Sequence, residues 1–139
     1  NKIGEVFAQL SDRGIHLSLL SFGYKYGIPY DADFILDCRF IPNPHWVPEL
    51  RPLDGRSKEI SEYVLGDPVG AELTASILAY LRETLAAYLA DGRGRLSIAI
   101  GCTGGRHRSV AIVEALAKAL VPVADGAPIV VEHRDILRS

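Results

Sequence analysis

The stretch "RLSIAIGCTGGRHRSVAIVEALAKAL", residues 95–120, is the feature that most constrains how this chain can fold. It begins as a short apolar run, passes through glycines at positions 101, 104 and 105, and ends with apolar residues at helical spacing. A strand, a glycine loop and a helix in this order are typical of α/β proteins with parallel strands. Ligands of such proteins bind outside the carboxyl ends of the strands. The stretch therefore predicts a phosphate-binding strand–glycine loop–helix unit at one edge of a sheet.

The rest of the chain predicts further strands and helices around this unit. "IHLSLLSFG", "DFILDCRFI" and "PIVVEHRD" are short apolar runs bounded by Gly, Pro or Asp, which is typical of buried strands. Apolar residues recur every three or four positions in segments 3–10, 60–64, 73–88 and 109–120, which predicts helices there. A length of 139 residues suits one domain. We predict a single-domain α/β fold over residues 1–139, with a mostly parallel sheet of about four strands flanked by helices.

The segment "IPNPHWVPELRPLDG", residues 41–55, is rich in proline. Each of its four prolines lacks the N–H that a helix or a sheet would use as a donor. We therefore expect a long ordered loop here, and loops of this length in compact domains are usually functional.

The glycine loop has the composition of an anion site. A strand that runs through glycines into a helix directs backbone N–H groups and the positive end of the helix dipole towards one point. Arg106, His107 and Arg108 add positive charge, and arginine can bind a phosphate with two parallel hydrogen bonds. In the alternative interpretation, Gly104 and Gly105 only form a tight turn and the arginines are solvated.

A nucleotide-hydrolysing loop is not expected in this chain. The Walker motif G-x-x-x-x-G-K-[ST] requires a lysine directly after a glycine. None of the four lysines, at positions 2, 25, 58 and 118, follows a glycine. We therefore expect no hydrolysis of ATP or GTP by these residues.

A second enzymatic motif, the cysteine-dependent phosphatase loop C-x-x-G-x-x-R-[ST], is matched at four positions: Cys102, Gly105, Arg108 and Ser109. In that chemistry a thiolate at a helix N-terminus attacks phosphorus while the loop and the arginine bind the phosphate oxygens. Asp54 is the candidate acid by residue type alone, and Gly101 stands where such loops usually have histidine. The alternative is that Cys102 is a small residue packed beneath the loop.

Four stretches, "FGYKYGIPYDADFILDCRF", "PNPHWVPELRPLDG", "GCTGGRHRS" and "EHRD", resemble in order and spacing the C-terminal domain of the RapZ (YvcJ-like) nucleotide-binding protein family. The resemblance covers nearly all of residues 15–135. It implies an N-terminal Walker-loop domain that binds ATP and GTP in full-length members, so no cofactor is assigned to this chain. Because the sequence has no methionine, we expect it to be a fragment of such a two-domain protein.

The resemblance also implies partners. The best-understood members are adapters that present a small regulatory RNA to an endoribonuclease and sense glucosamine-6-phosphate through this domain. The resemblance therefore implies regulation by a phosphorylated amino sugar. It does not determine the oligomeric state and is compatible with a homo-oligomer. We expect a cytoplasmic location without membrane contact, because two cysteines are too few for a disulfide framework and no apolar stretch approaches about 20 residues.

The family's ligand pocket matches this sequence at His45, Thr103, Gly104, Gly105 and Arg108, with Lys25 expected close by. In the alternative interpretation, His45 binds no ligand and its ring packs against Trp46 and the prolines. No metal site is expected, because the four histidines show neither i,i+4 pairing nor a cysteine at ligand spacing.

RNA binding is less well supported by the sequence. RNA-binding members have a lysine- and arginine-rich C-terminal tail, whereas this chain ends in "EHRDILRS" and has a net charge of −2. Contacts to RNA phosphates then require five basic residues to lie on one face: Lys25, Arg39, Arg51, Arg106 and Arg134. Arg39 and Arg51 are equally compatible with salt bridges at the surface.

Overall fold

The computed structural model of the chain describes residues 16–90, 95–120 and 128–138. Its strands are β1 (His16–Gly23), β2 (Phe34–Asp37), β3 (Arg95–Cys102) and β4 (Ile129–His133). Its α-helices are α1 (Lys58–Leu65), α2 (Pro68–Ala90) and α3 (Arg108–Leu120), and short 3-10 helices span Tyr24–Tyr26 and Pro44–Trp46. The predicted helix at residues 3–10 lies outside the described residues. The described elements form a single α/β domain, as predicted.

The four strands form one sheet in the order β2-β3-β1-β4, and every neighbouring pair is parallel. This confirms the prediction of a mostly parallel sheet of about four strands. β3 lies between β1 and β2, and all of its residues after Arg95 are buried. Its central position explains why the segment is continuously apolar rather than alternating.

β2 is shorter than its apolar sequence predicts. The apolar run extends to Ile41, but the strand ends at Asp37. The Asp37 carboxylate accepts hydrogen bonds from the backbone N–H of Arg39 and from its guanidinium, at 2.8 Å each. These bonds close a turn directly after the strand, since an aspartate can bond the backbone two residues further on.

The helices and the sheet share one apolar core. Leu17 and Leu19 of β1 pair in register with Leu96 and Ile98 of β3, and their side chains are fully or almost fully buried. The three helices contribute further members, which include Ile60, Val64, Ile77, Leu81, Ile112 and Leu116. Each such side chain contributes about 1.5–3 kcal/mol when it is removed from water. No helix in the described part of the chain is long and apolar enough to cross a membrane.

The strand order brings three connecting segments to one edge of the sheet. Gly23 at the end of β1 pairs with Cys102 at the end of β3, and Asp37 at the end of β2 pairs with Gly101. Beyond the strands, the N–H of Lys25 donates to the carbonyl of Thr103 at 3.1 Å. The segments that follow β1, β2 and β3 therefore meet at their carboxyl ends.

Candidate functional site

A cleft of about 640 Å³ lies at this carboxyl edge. Its walls are formed by Lys25 after β1, by the proline-rich loop between residues 43 and 52, and by residues 102–104 and 106–108 around the glycine loop. The cleft therefore lies where parallel α/β sheets usually bind their ligands.

The glycine loop between β3 and α3 approaches the end of β1 very closely. Gly105 has φ = 78°, a left-handed conformation that other residues adopt only with strain. A Cβ at this position would lie 2.6 Å from the backbone nitrogen of Gly23, and a Cβ on Gly23 would collide with the backbone of Gly104. Glycines are thus required on both sides of this contact.

Arg108 begins α3 and is 4% exposed. Its Nη1 donates to the carbonyls of Arg39 at 2.6 Å and Ile41 at 3.1 Å, and its Nη2 donates to Thr103 Oγ1 at 3.3 Å. Its Nε is buried and has no hydrogen-bond partner among the described residues, and none of their carboxylates forms an ion pair with the guanidinium. A buried guanidinium with an unsatisfied donor is costly, so this arrangement favours binding of an anion in the cleft.

The other two cationic candidates of the loop hold the far end of the proline-rich loop. Arg106 donates through Nε to the carbonyl of Leu53 at 3.1 Å and through Nη2 to the carbonyl of Pro52. His107 Nε2 lies 3.1 Å from the carbonyl oxygen of Arg51. Burial lowers the pKa of His107 below its ordinary value, so the neutral ring is favoured. Side chains of the glycine loop thus fix the position of the loop that carries His45.

His45 and Trp46 form an exposed wall of the cleft. They lie in the 3-10 helix Pro44–Trp46, which Asn43 caps by accepting a hydrogen bond from the N–H of His45 at 3.1 Å. Arg51 Nε donates to the carbonyl of His45 at 2.7 Å. The two rings meet edge to face, and Trp46 is 74% exposed. His45 is exposed too, so its ring is not buried as packing among the prolines.

Cys102 lies at the floor of the cleft and is 2% exposed. Its Sγ is 3.1 Å from Ser109 Oγ. Hydrogen bonds from the Cys38 thiol, the Ser109 hydroxyl and the backbone N–H groups of Ser109 and Gly105 hold the pKa of Cys102 well below its usual range. The same contact with Cys102, together with burial, raises the pKa of Cys38. The site therefore favours a thiolate on Cys102 and a neutral thiol on Cys38.

Most of the predicted ligand residues line the cleft: Lys25, His45, Thr103, Gly104, Arg106, His107 and Arg108. Gly105 and Ser109 are buried behind them. Asp54, the candidate acid, lies outside the described lining and pairs with Arg56 at 2.8 Å. Hydrogen bonds from Arg56 lower the pKa of Asp54, so its carboxyl is ionised at neutral pH and is a poor proton donor.

The five candidate RNA-binding residues are divided between the cleft and its surroundings. Lys25, Arg51 and Arg106 line the cleft. Arg39 forms an ion pair with Asp37 at 2.8 Å and covers the Tyr24 ring at 3.8 Å. Arg134 binds the buried Asp135 at 2.8 Å and donates to the carbonyl of Gly27 at 2.6 Å.

Sequence reasoning missed four residues of this region: Cys38, Asn43, Trp46 and Asp135. Cys38 and Asp135 act through pairings between segments distant in sequence, so no local pattern reveals them. Asn43 and Trp46 had a usable signal: an asparagine before a proline is a typical cap, and an exposed tryptophan is typical of binding surfaces.

The model of the RapZ C-terminal domain matches residues 15–137 of this chain. The chain belongs to this family. Similar proteins, each named nucleotide-binding protein, occur in Parafrankia sp. (46% identical over 137 residues), Streptomyces griseus (46% over 137) and Streptomyces coelicolor (45% over 137). Each match covers 99% of this chain but only 47%, 41% and 45% of the respective relative. This RapZ C-terminal domain therefore spans about half the length of the curated relatives it matches.

Proposed function

We propose that this RapZ C-terminal domain is a regulatory binding domain that senses a phosphorylated small metabolite in the cleft. An amino-sugar phosphate such as glucosamine-6-phosphate is the ligand that we favour. The proposal depends mainly on one observation at Arg108. This residue lines the cleft, its guanidinium is buried, and its Nε has no hydrogen-bond partner among the described residues. A phosphate oxygen is a charged acceptor of the kind that a guanidinium binds most strongly.

The cleft has distinct parts for the two halves of such a ligand. The phosphate binds at the N-terminal end of α3, beside Arg108 and Thr103, where the helix dipole adds positive potential. The sugar extends towards His45 and the exposed face of Trp46, which offer a hydrogen-bonding ring and an apolar surface. Lys25 also lines the cleft and adds positive charge.

The experiment uses the fluorescence of Trp46, the single tryptophan of the sequence. Titration with glucosamine-6-phosphate should give a saturable change, inorganic phosphate a weaker one, and unphosphorylated glucosamine none. Thermal unfolding should show the same order, because a ligand that binds the folded state stabilises it by RT ln(1 + [L]/Kd). If no phosphorylated sugar changes the fluorescence or the melting temperature, the proposal is wrong.

We further propose a role in RNA binding, which the resemblance implies for members of the family. Lys25 and Arg51 at the cleft support this role. Arg39 and Arg134 already form ion pairs with carboxylates, and the Arg106 guanidinium donates to backbone carbonyls of the proline-rich loop. Few cations then remain for RNA phosphates, so log affinity should fall only shallowly with log salt, by about 0.7 per neutralised phosphate on a single strand. Filter binding at several salt concentrations tests this, with Lys25→Ala expected to reduce the slope by about that amount.

A cysteine-dependent phosphatase is the second candidate, favoured by the 3.1 Å contact between Cys102 and Ser109. A thiolate stabilised by a hydroxyl at a helix N-terminus is the nucleophile that this chemistry requires. The test uses para-nitrophenyl phosphate, whose leaving group needs no acid and thus bypasses Asp54. Turnover that disappears in Cys102→Ser would support an enzyme, whereas absence of turnover in the wild type would exclude it.

A further inference from the structure

The two cysteines of this chain are neighbours across the sheet. Cys38 follows β2 and Cys102 ends β3, and the preceding residues of the two strands pair in register. The N–H of Cys38 donates to the carbonyl of Gly101 at 2.9 Å, which continues the ladder to the cysteine pair. Neighbouring strands lie about 4.8 Å apart, and a disulfide spans Cα atoms about 4.4–6.8 Å apart. Both thiols are free, and the backbone positions suit a bond between them.

The surroundings make the two thiols chemically different. Ser109 Oγ lies 3.1 Å from Cys102 Sγ, and this cysteine also stands at the N-terminal end of α3, where the dipole favours negative charge. Cys38 is fully buried in the apolar core, and the neighbouring Cys102 together with burial raises the pKa of the Cys38 thiol. Cys102 is among the residues that line the cleft, which is the side from which a small oxidant would approach it. The pair therefore combines a nucleophilic thiolate with a resolving thiol next to it.

We infer that Cys38 and Cys102 form a redox-modification site, at which a hydroperoxide oxidises the two thiols to an intramolecular disulfide beneath the cleft. The inference does not depend on the proposed metabolite. The disulfide joins the first residue after β2 to the last residue of β3. It therefore ties the segment that leads into the proline-rich loop to the start of the glycine loop, and it removes the negative charge from the cleft floor.

The chemistry takes place in two balanced steps. The Cys102 thiolate attacks the outer oxygen of the hydroperoxide, the O–O bond breaks, and the remaining alkoxide or hydroxide takes a proton from water. This leaves a sulfenic acid on Cys102. Cys38 sulfur then attacks the sulfenic sulfur, the S–O bond breaks, and the departing hydroxyl leaves as water with the Cys38 proton. The two thiols lose two electrons and two hydrogens, and the hydroperoxide is reduced to an alcohol (or water) and water.

The test is oxidation of the 139-residue protein with hydrogen peroxide at pH 7, followed by alkylation in denaturant and intact-mass measurement. The expected product is a monomer that carries no alkyl group, is lighter than the dithiol form by two hydrogens, and is restored by dithiothreitol. Cys38→Ser should stop at a sulfenic acid on Cys102 that dimedone traps. Because these readouts need no ligand, failure of the metabolite proposal would not affect them.

Ser109→Ala tests the source of reactivity. Loss of one hydrogen bond to a charged sulfur should slow oxidation about tenfold at pH 7 and shift the pH–rate profile upwards. Ser76→Ala, at an exposed position on α2, is the matched control and should leave the rate unchanged. Three outcomes would overturn the inference: retention of both thiols when free cysteine is oxidised, disulfides only between chains, or overoxidation of Cys102 while Cys38 stays reduced.

Discussion

Arg108 makes contacts on two sides, and the effects of removing it can be separated. Its Nη1 binds two carbonyls of the segment that follows β2, and its side chain also lines the cleft. Arg108→Ala should weaken binding of glucosamine-6-phosphate at least tenfold, because a hydrogen bond to a charged group contributes about 1.5–3 kcal/mol. His45→Ala should weaken binding less at pH 8, where only a neutral hydrogen bond of about 0.5–1.5 kcal/mol is lost.

Calorimetric titration of the wild type, Arg108→Ala and His45→Ala measures these differences. Arg56→Ala is the matched arginine control, since Arg56 is exposed and pairs with Asp54 outside the described lining of the cleft. If all four proteins bind equally well, the ligand lies elsewhere. If His45→Ala loses more affinity than Arg108→Ala, the phosphate is not bound where we propose.

His107 makes the stability of the domain dependent on pH. Burial lowers the pKa of His107 in the folded state, whereas in the unfolded state the ring takes up a proton near its ordinary value of about 6.5. Its contribution to stability is therefore complete above about pH 6.5 and is lost as the pH falls towards the folded-state pKa. Urea unfolding at pH 7.5 and pH 5.5 should show a smaller loss for His107→Gln than for the wild type. If the wild type and His107→Gln lose the same stability between pH 7.5 and pH 5.5, the pH dependence comes from other groups.

The glycine loop, as an element, depends on a backbone shape that only glycine provides easily. Gly105 and Gly27 both have positive φ, at 78° and 97°. A Cβ on Gly27 would meet no atom within 4 Å, whereas a Cβ on Gly105 would lie 2.6 Å from Gly23 N and 2.8 Å from Phe22 C. Alanine substitutions at Gly27 and Gly105 therefore separate two costs in stability: that of the positive φ angle alone, and that of the close contact between the glycine loop and β1.

We expect Gly27→Ala to lower the free energy of unfolding by about 1–3 kcal/mol, the usual cost of an unfavourable backbone region. Gly105→Ala should cost more, because the loop must also move away from β1, and it should weaken phosphate binding as well. Urea denaturation and fluorescence titration measure the two effects. Equal stability of the two variants would mean that the glycine loop can move away from β1 without loss of stability.

Prediction from sequence was most successful for elements with a local pattern. The order of strand, glycine-containing turn and helix at residues 95–120, the helices predicted at 60–64, 73–88 and 109–120, and the four-stranded sheet were confirmed. The end of β2 was misplaced because a side-chain turn at Asp37 overrides the apolar run that continues beyond it. The burial of Arg108 was also not predictable, because it depends on carbonyls more than 65 residues earlier in the sequence. Local sequence patterns predict where helices and strands lie. Contacts between residues distant in sequence determine which atoms of a charged side chain are already hydrogen-bonded.

At the scale of the whole molecule, Asp135 joins the segment after β4 to the site. Its carboxylate is fully buried, accepts a hydrogen bond from the N–H of Gly23 at 2.8 Å, and pairs with Arg134 at 2.8 Å. Asp135→Ala would leave that N–H without its acceptor and would remove the buried carboxylate from the Arg134 guanidinium, so we expect a loss of about 3–5 kcal/mol. Asp135→Asn retains an oxygen acceptor and should lose less.

Chemical denaturation measures whether Asp135→Ala loses more stability than Asp135→Asn. Asp31→Ala is the matched control, because Asp31 is 81% exposed and its pair with Arg95, at 3.6 Å, should contribute less than about 0.5 kcal/mol. Equal effects of Asp135→Ala and Asp31→Ala would show that the buried carboxylate has no special role. Stability lost in Asp135→Asn to the same extent as in Asp135→Ala would mean that the charge, and not the acceptor, is what matters.

The bond between Asp135 and Gly23, which joins residues 112 positions apart, has a consequence for the order of events during biosynthesis. β1 is made first among the described strands, yet its parallel partners β3 and β4 are made much later. A nascent chain that has reached only α2 therefore exposes an apolar strand with neither partner, and pairing across such long separations is slow. The N–H of Gly23 cannot make its final hydrogen bond until Asp135 has left the ribosome. The cleft should consequently become able to bind ligand only when nearly all of the described sequence has been synthesised, and chaperone contact should fall mainly in the interval before then.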